Sequence, residues 1–231
     1  MRKWLKIAAW VGAVLVVVFG IGLFLFFRAL HHVPEFYQEA VRGDPAKEKA
    51  GSHEMQLRAA ELASHVQVAG RWRQTFTAEQ VNGWLAVGRF QKSEGIAPEV
   101  QGLIPDAMID PRVVIEPDGI TLACRFDTGG AGQTVLWLKV DAYLTEENEI
   151  ALRIRKARAG SLPAPLDVVF KRLSEALAHA KCPARASQVD GDPVVLLTLP
   201  PVGKKGELTV QLDTLRLSEG KIEVAGTTER E

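Results

Sequence analysis

From Ile7 to Phe27 the chain reads IAAWVGAVLVVVFGIGLFLFF, with no charge between Lys6 and Arg28. No other segment restricts the fold so narrowly. An α-helix rises about 1.5 Å per residue and crosses a hydrocarbon core about 30 Å thick in about 20 residues, so the run predicts a transmembrane anchor. A cleavable secretory signal has a shorter apolar region followed by a small-x-small site, whereas here the apolar residues run straight into Arg28, Leu30, His31 and His32. No cysteine lies near the run to carry a lipid. Arg2, Lys3 and Lys6 precede it and only Arg28 follows closely, a bias that places the N terminus in the cytoplasm. Trp4 and Trp10 suit either an interfacial belt or plain apolar bulk. The expected layout is a cytoplasmic tail over 1–6, a single-pass signal anchor in the cell membrane over 7–27, a connector over 28–43, and a periplasmic or extracellular domain over 44–231.

Charge narrows the partners of that domain. Lysine plus arginine and aspartate plus glutamate both number 28, and no basic stripe stands out, which argues against nucleic acid. Roughly 200 residues after the anchor suffice for one domain with a substantial core. Cys124 and Cys182 are compatible with a disulfide in an oxidising compartment, but one bridge is no necessity at this size. Cys124 alternates with Ile120, Leu122 and Phe126, which places it on an apolar strand face and favours a buried thiol.

Local signals outline an α+β domain. Asp44 and Pro45 form an N-cap and first helical residue, and Met55, Ala59, Leu62 and Val66 give the helix that follows an apolar stripe. Arg71 to Phe76 alternates as a short strand. In FTAEQVNGWL, Thr77 and Gln80 make a capping box and Val81, Trp84 and Leu85 share a face, while Gly83 weakens the helix and Gly88 ends it. Residues Phe90 to Pro111 read as a long loop, either a mobile flap or binding mouth or a surface insertion. From Arg112 the period becomes two, with hairpins at Pro117-Asp118-Gly119 and Thr145 to Asn148. Leu166, Val169, Phe170, Leu173 and Leu177 stripe a helix to about Lys181, and strands follow over 194–199, 207–217 and 221–225. The sum is a mostly antiparallel, curved sheet packed on amphipathic helices.

No catalytic pattern accompanies these elements. Five histidines show no metal-ligand spacing, Asp190-Gly191-Asp192-Pro193 has too few oxygen donors at set spacing for a calcium loop, and Gly129-Gly130-Ala131-Gly132 joins strands instead of opening a helix. No nucleophile, metal ligand or cofactor-binding residue is assigned, and the domain is expected not to be an enzyme. Arg153, Arg155 and Arg158 make a cationic cluster that reads as a solvated face or as contacts for anionic headgroups.

Two resemblances add expectations. The strand-helix element and LRIRKARAGSLPAPL (Leu152 to Leu166) resemble the YpmS-like family of membrane-anchored bacterial proteins, whose sheet leads through a Leu-Pro-x-Pro turn into a helix. More distantly, Thr77, Val81, Asn82 and Leu85 match the helix-opening T-x-x-x-[IV]-N-x-x-L motif of bacterial single-domain tubular lipid-binding (TULIP) proteins, although Gly83 and Gly88 make the helix shorter than a lining helix there. The likeness implies a TULIP-like roll with an apolar groove. Thr77, Val81, Trp84, Leu85, Leu166, Val169, Phe170 and Leu173 are its groove candidates. The expected function is to bind or shield a lipid or other apolar envelope component, with the bilayer as partner through the anchor. The alternative is a non-catalytic envelope scaffold for protein partners.

Overall fold

Alternating residues do become strands, but they divide between two sheets. The computed structural model describes residues 19–88, 108–127, 132–145, 148–167, 169–171, 175, 184–198 and 208–230. Helices are α1 (19–30), α2 (Glu35–Val41), α3 (Pro45–His65) and α4 (Ala78–Gly88). Strands are β1 (Gly70–Thr77), β2 (Met108–Glu116), β3 (Gly119–Asp127), β4 (Gln133–Leu144), β5 (Glu149–Ala159), β6 (Leu162–Pro163), β7 (Ala184–Val189), β8 (Asp192–Thr198), β9 (Leu208–Ser218) and β10 (Lys221–Arg230). One sheet has the order β1-β10-β9; the other runs β2-β3-β4-β5-β8-β7, with β6 on β5. Every described pair is antiparallel.

The transmembrane expectation is corrected. Among the described residues no helix is long and apolar enough to cross a membrane. The described part of α1, residues 19–30, covers about 18 Å at the usual rise against a core of roughly 30 Å, and residues 7–18 of the apolar run lie outside the described residues. The single-pass signal anchor, the cell-membrane localisation and the cytoplasmic-to-extracytoplasmic topology built on it are withdrawn. What remains is an apolar helix with Phe19, Phe24, Leu25 and Phe26 more than half exposed.

Helix α3 begins where its cap predicts, with the Asp44 carboxylate accepting from Ala46 N–H at 2.9 Å. Its packing differs from the expected stripe. Met55, Leu62 and Val66 are half-buried and Ala59 is exposed; the buried residues are Gly51 and Ser52. These meet Gly83 of α4, where a Cβ would stand 2.7 Å from Ser52 N and closer still to Glu48 O. Gly83, expected to weaken its helix, is where the two backbones touch.

Two asparagines close sheet edges. Asn82 on α4 donates to Val113 O at 2.8 Å and accepts from Val113 N–H at 2.7 Å, pairing with the open edge of β2 as another strand would. Asn148, held at φ 61° in the β4–β5 turn, does the same to β9, donating to Val210 O at 2.7 Å and accepting from Leu212 N–H at 2.8 Å. That clip joins the two sheets, and the β9–β10 turn joins them again through Gly220 N–H to Ile115 O at 2.9 Å. Because Val113 is buried, Asn82→Ala leaves a donor and an acceptor stranded. The expected loss is about 2 kcal/mol of unfolding free energy in a urea titration, with Asn82→Asp, which still accepts but no longer donates, falling between.

The strand faces also depart from the simple alternation. Cys124 is buried as expected, but Leu122 is 40% exposed while Thr121 and Ala123 on the opposite face are buried. The reason is α2, within the expected 28–43 connector: it covers the face of Ala123, Val135 and Trp137 with Phe36, Tyr37 and Val41. On β5, Arg155 is an extra residue between the Lys139–Lys156 and Val140–Ile154 pairs, so Ile154 and Ala157 fall on one face and both are buried. The expected 90–111 loop ends in strand from Met108; 89–107 lie outside the described residues, as does Cys182.

Candidate functional site

The site is built by α2 lying on β3 and β4. Seven residues make a marginal helix alone, and this one is held by its side chains. Tyr37 is 1% exposed, and its hydroxyl donates to Asp110 O at 2.8 Å. Burial raises the Tyr37 pKa above its ordinary value, which keeps the hydroxyl a donor. Asp110 sits at φ 47° in a β2 bulge opposite Cys124, between the Ile109–Arg125 and Arg112–Ala123 pairs, and presents its carbonyl to the Tyr37 hydroxyl. Phe36 meets Trp137 edge-on at 5.7 Å, and the guanidinium of Arg158, the cross-strand neighbour of Trp137, lies over the indole at 5.7 Å.

Beside Tyr37 a half-open cleft of ≈ 360 Å³ remains between α2 and the sheet. Val33, Val41, Val135 and the Tyr37 ring form its apolar wall, and Gln38, Arg42, Arg125, Gln133 and Thr134 its polar rim. The cleft opens at the foot of α1. Thr134, one of its lining residues, donates through its hydroxyl to Leu30 O at 2.5 Å, and Ser161 N–H donates to Ala29 O at 2.9 Å. Those carbonyls press on Gly160, which at φ +59° has neither the conformation nor the space for a side chain.

The groove candidates sit elsewhere. Thr77 and Gln80 close the predicted capping box, Thr77 N–H to Gln80 Oε1 at 2.9 Å and Gln80 N–H to Thr77 Oγ1 at 3.2 Å. Val81, Trp84 and Leu85 are half-buried on α4, which packs on α3, β2 and β1. Leu166, Val169 and Phe170 are half-buried in helical residues beyond β6, and Leu173 lies outside the described residues. None of the described ones lines the cleft.

The arginine cluster is paired. Arg153 reaches Asp192 at 2.7 Å and Asp190 at 3.2 Å; Arg155 reaches Asp141 at 2.5 Å and Asp192 at 3.1 Å; Arg158 covers Trp137 and donates to Ser161 O at 3.2 Å. Hydrogen bonds from Arg153, then Arg155, hold the Asp192 carboxyl below its ordinary range. A depressed folded-state pKa contributes stability that is complete above the unfolded value and disappears as pH falls through the folded one. Stability is therefore expected to decline below about pH 4. Asp192→Asn should lower the urea midpoint at neutral pH and make that acid decline shallower.

Cleft residues Tyr37, Gln38 and Arg42 fall in the stretch read as connector. Its helical signal was present, Pro34 followed by Glu35 in a first turn with Phe36, Tyr37, Ala40 and Val41 at helical spacing, but it was overshadowed by Pro34 and Gly43 as loop punctuation. Arg125 and Gln133 carry no local signal. Among the described residues no group of three or more His, Cys, Asp or Glu side chains is placed to hold a metal ion. In comparisons with known proteins, no family model and no curated protein matches the chain.

Proposed function

We propose that this domain is a non-catalytic binding module for a lipid or another apolar molecule, and that the cleft beside Tyr37 receives it. One observation carries the reading: an apolar wall with a polar rim opens at the foot of a helix whose large apolar side chains are exposed. Ligand sites combine mostly apolar lining with a few placed polar groups, and the cleft has that composition. The TULIP likeness of Thr77, Val81, Asn82 and Leu85 supports the ligand class, while the cleft puts the ligand at α2 instead of α4. Native mass spectrometry of the full chain, released from a neutral detergent, tests it. An amphiphile-sized adduct that disappears in Val41→Trp, which fills the cleft, is expected; a bare chain mass for the unaltered protein overturns the reading.

One observation favours a second role, a scaffold for a protein partner. Phe19, Ile21, Leu23, Phe24, Leu25, Phe26 and Phe27 are all exposed, more apolar surface than a monomer ordinarily leaves uncovered. A photocrosslinker at position 24 separates the two: a stoichiometric protein adduct supports the scaffold, and lipid adducts support the binding module.

A further inference from the structure

We infer that the cleft selects an amphiphile with an anionic head, a carboxylate or a phosphate, seated between Arg42 and Arg125. The inference rests on the binding role proposed above and specifies its ligand. Arginines elsewhere at packed positions find a carboxylate at close range: Arg112 meets Glu48 at 2.7 Å and Arg153 meets Asp192 at 2.7 Å. The two at the cleft do not, among the described residues. Arg125 approaches Asp110 only to 3.8 Å, beyond hydrogen-bond reach, and Arg42 meets the neutral Gln38 amide at 3.5 Å. The lining contains no acidic side chain.

Three of the other polar groups are engaged, which leaves the guanidiniums, with the Gln133 amide beside them, to hold the anion. Tyr37 spends its hydroxyl on Asp110 O, and Gln38 Nε2 donates to Val33 O at 3.0 Å. The carbonyl end of α1, which would repel an anion, is engaged, with Thr134 on Leu30 O and Ser161 on Ala29 O. A paired cationic rim over Val33, Val41 and Val135 therefore fits a charged head with its first methylenes beneath. A cleft of ≈ 360 Å³ is at the small end for ligands, so a long chain must leave it. Val33, 37% exposed, and Leu30 mark an exit onto the apolar side chains of α1.

The test measures binding of three probes of equal chain length, a fatty acid, an alkyl phosphate and a fatty alcohol, to the full chain in a neutral detergent. The acid or the phosphate is expected to bind about tenfold or more tightly than the alcohol, and whichever binds tighter identifies the head. Arg42→Gln and Arg125→Gln should each weaken the anion about tenfold and leave the alcohol unchanged, with Arg42→Lys and Arg125→Lys recovering part. Unchanged urea midpoints in these variants exclude a folding defect. Equal affinity for alcohol and anion, or anion binding indifferent to both arginines, overturns the inference and leaves the binding role standing. If no probe binds, both fall.

Discussion

Gly83→Ala is expected to destabilise the protein by about 3 kcal/mol, measured as the shift in urea unfolding free energy. Helix propensity alone gives the opposite sign, because alanine in a helix interior is favoured over glycine by about 1 kcal/mol. The new methyl would stand 2.7 Å from Ser52 N and nearer to Glu48 O. Both are backbone atoms of a regular helix, so neither can turn aside as a side chain would, and α3 and α4 must separate. Gly51→Ala, whose Cβ would meet Glu79 O at 2.7 Å, should cost a similar amount. The double variant should cost less than the sum, since either methyl alone already forces the helices apart. A neutral or stabilising Gly83→Ala would show that the helices do not cross this closely.

Glu48→Ala is expected to cost still more, about 3–5 kcal/mol, because it leaves a guanidinium buried without its counter-charge. Arg112 is 6% exposed, bonded to Glu48 at 2.7 Å and to Asn82 O at 3.3 Å, while its Nε has no partner. The two partners are unequally placed, and this predicts an order. The Glu48 side chain is 22% exposed and can turn towards water, so Arg112→Met should cost less than Glu48→Ala. Pairing Arg112→Met with Glu48→Leu should recover most of the loss, since apolar residues of similar volume often replace a buried ion pair without penalty. A double-mutant cycle in urea checks the order. Glu48→Ala costing no more than a surface substitution would mean that the charge finds water.

Both predictions concern one place, where α3, α4 and β2 meet, and most of its residues were visible in the sequence without their partners. The capping box of Thr77 and Gln80, the Asp44 cap and the hairpin turns were readable because each closes over a few residues. Asn82 was noticed as part of a motif, yet its partner is the backbone of Val113. Glu48 carries no local sign of its role, because its partner Arg112 lies 64 residues along the chain. The cleft was less legible still. Its floor depends on α2, whose single buried anchor, Tyr37, is held by the carbonyl of Asp110 from a bulge far along the chain. Arg153 and Arg155, which stand out in the sequence, are engaged by Asp141, Asp190 and Asp192, while Arg125, two strands away on β3, lines the cleft.

The sequence by itself determined the features that repeat or close locally: period-two strands, helix caps, turns, and a run from Ile7 to Phe27 with no charge. These need only neighbours within a turn or a pleat, and their physics is complete at that range. Tertiary structure decided what lies against each face: that β3 buries Ala123 beneath α2, that Gly83 is a contact point, and that Asn82 and Asn148 stand in for missing strands. It also decided that the described part of the apolar run is a helix too short to cross a membrane. Apolar side chains record an aversion to water, and what covers them is set by residues distant in the chain.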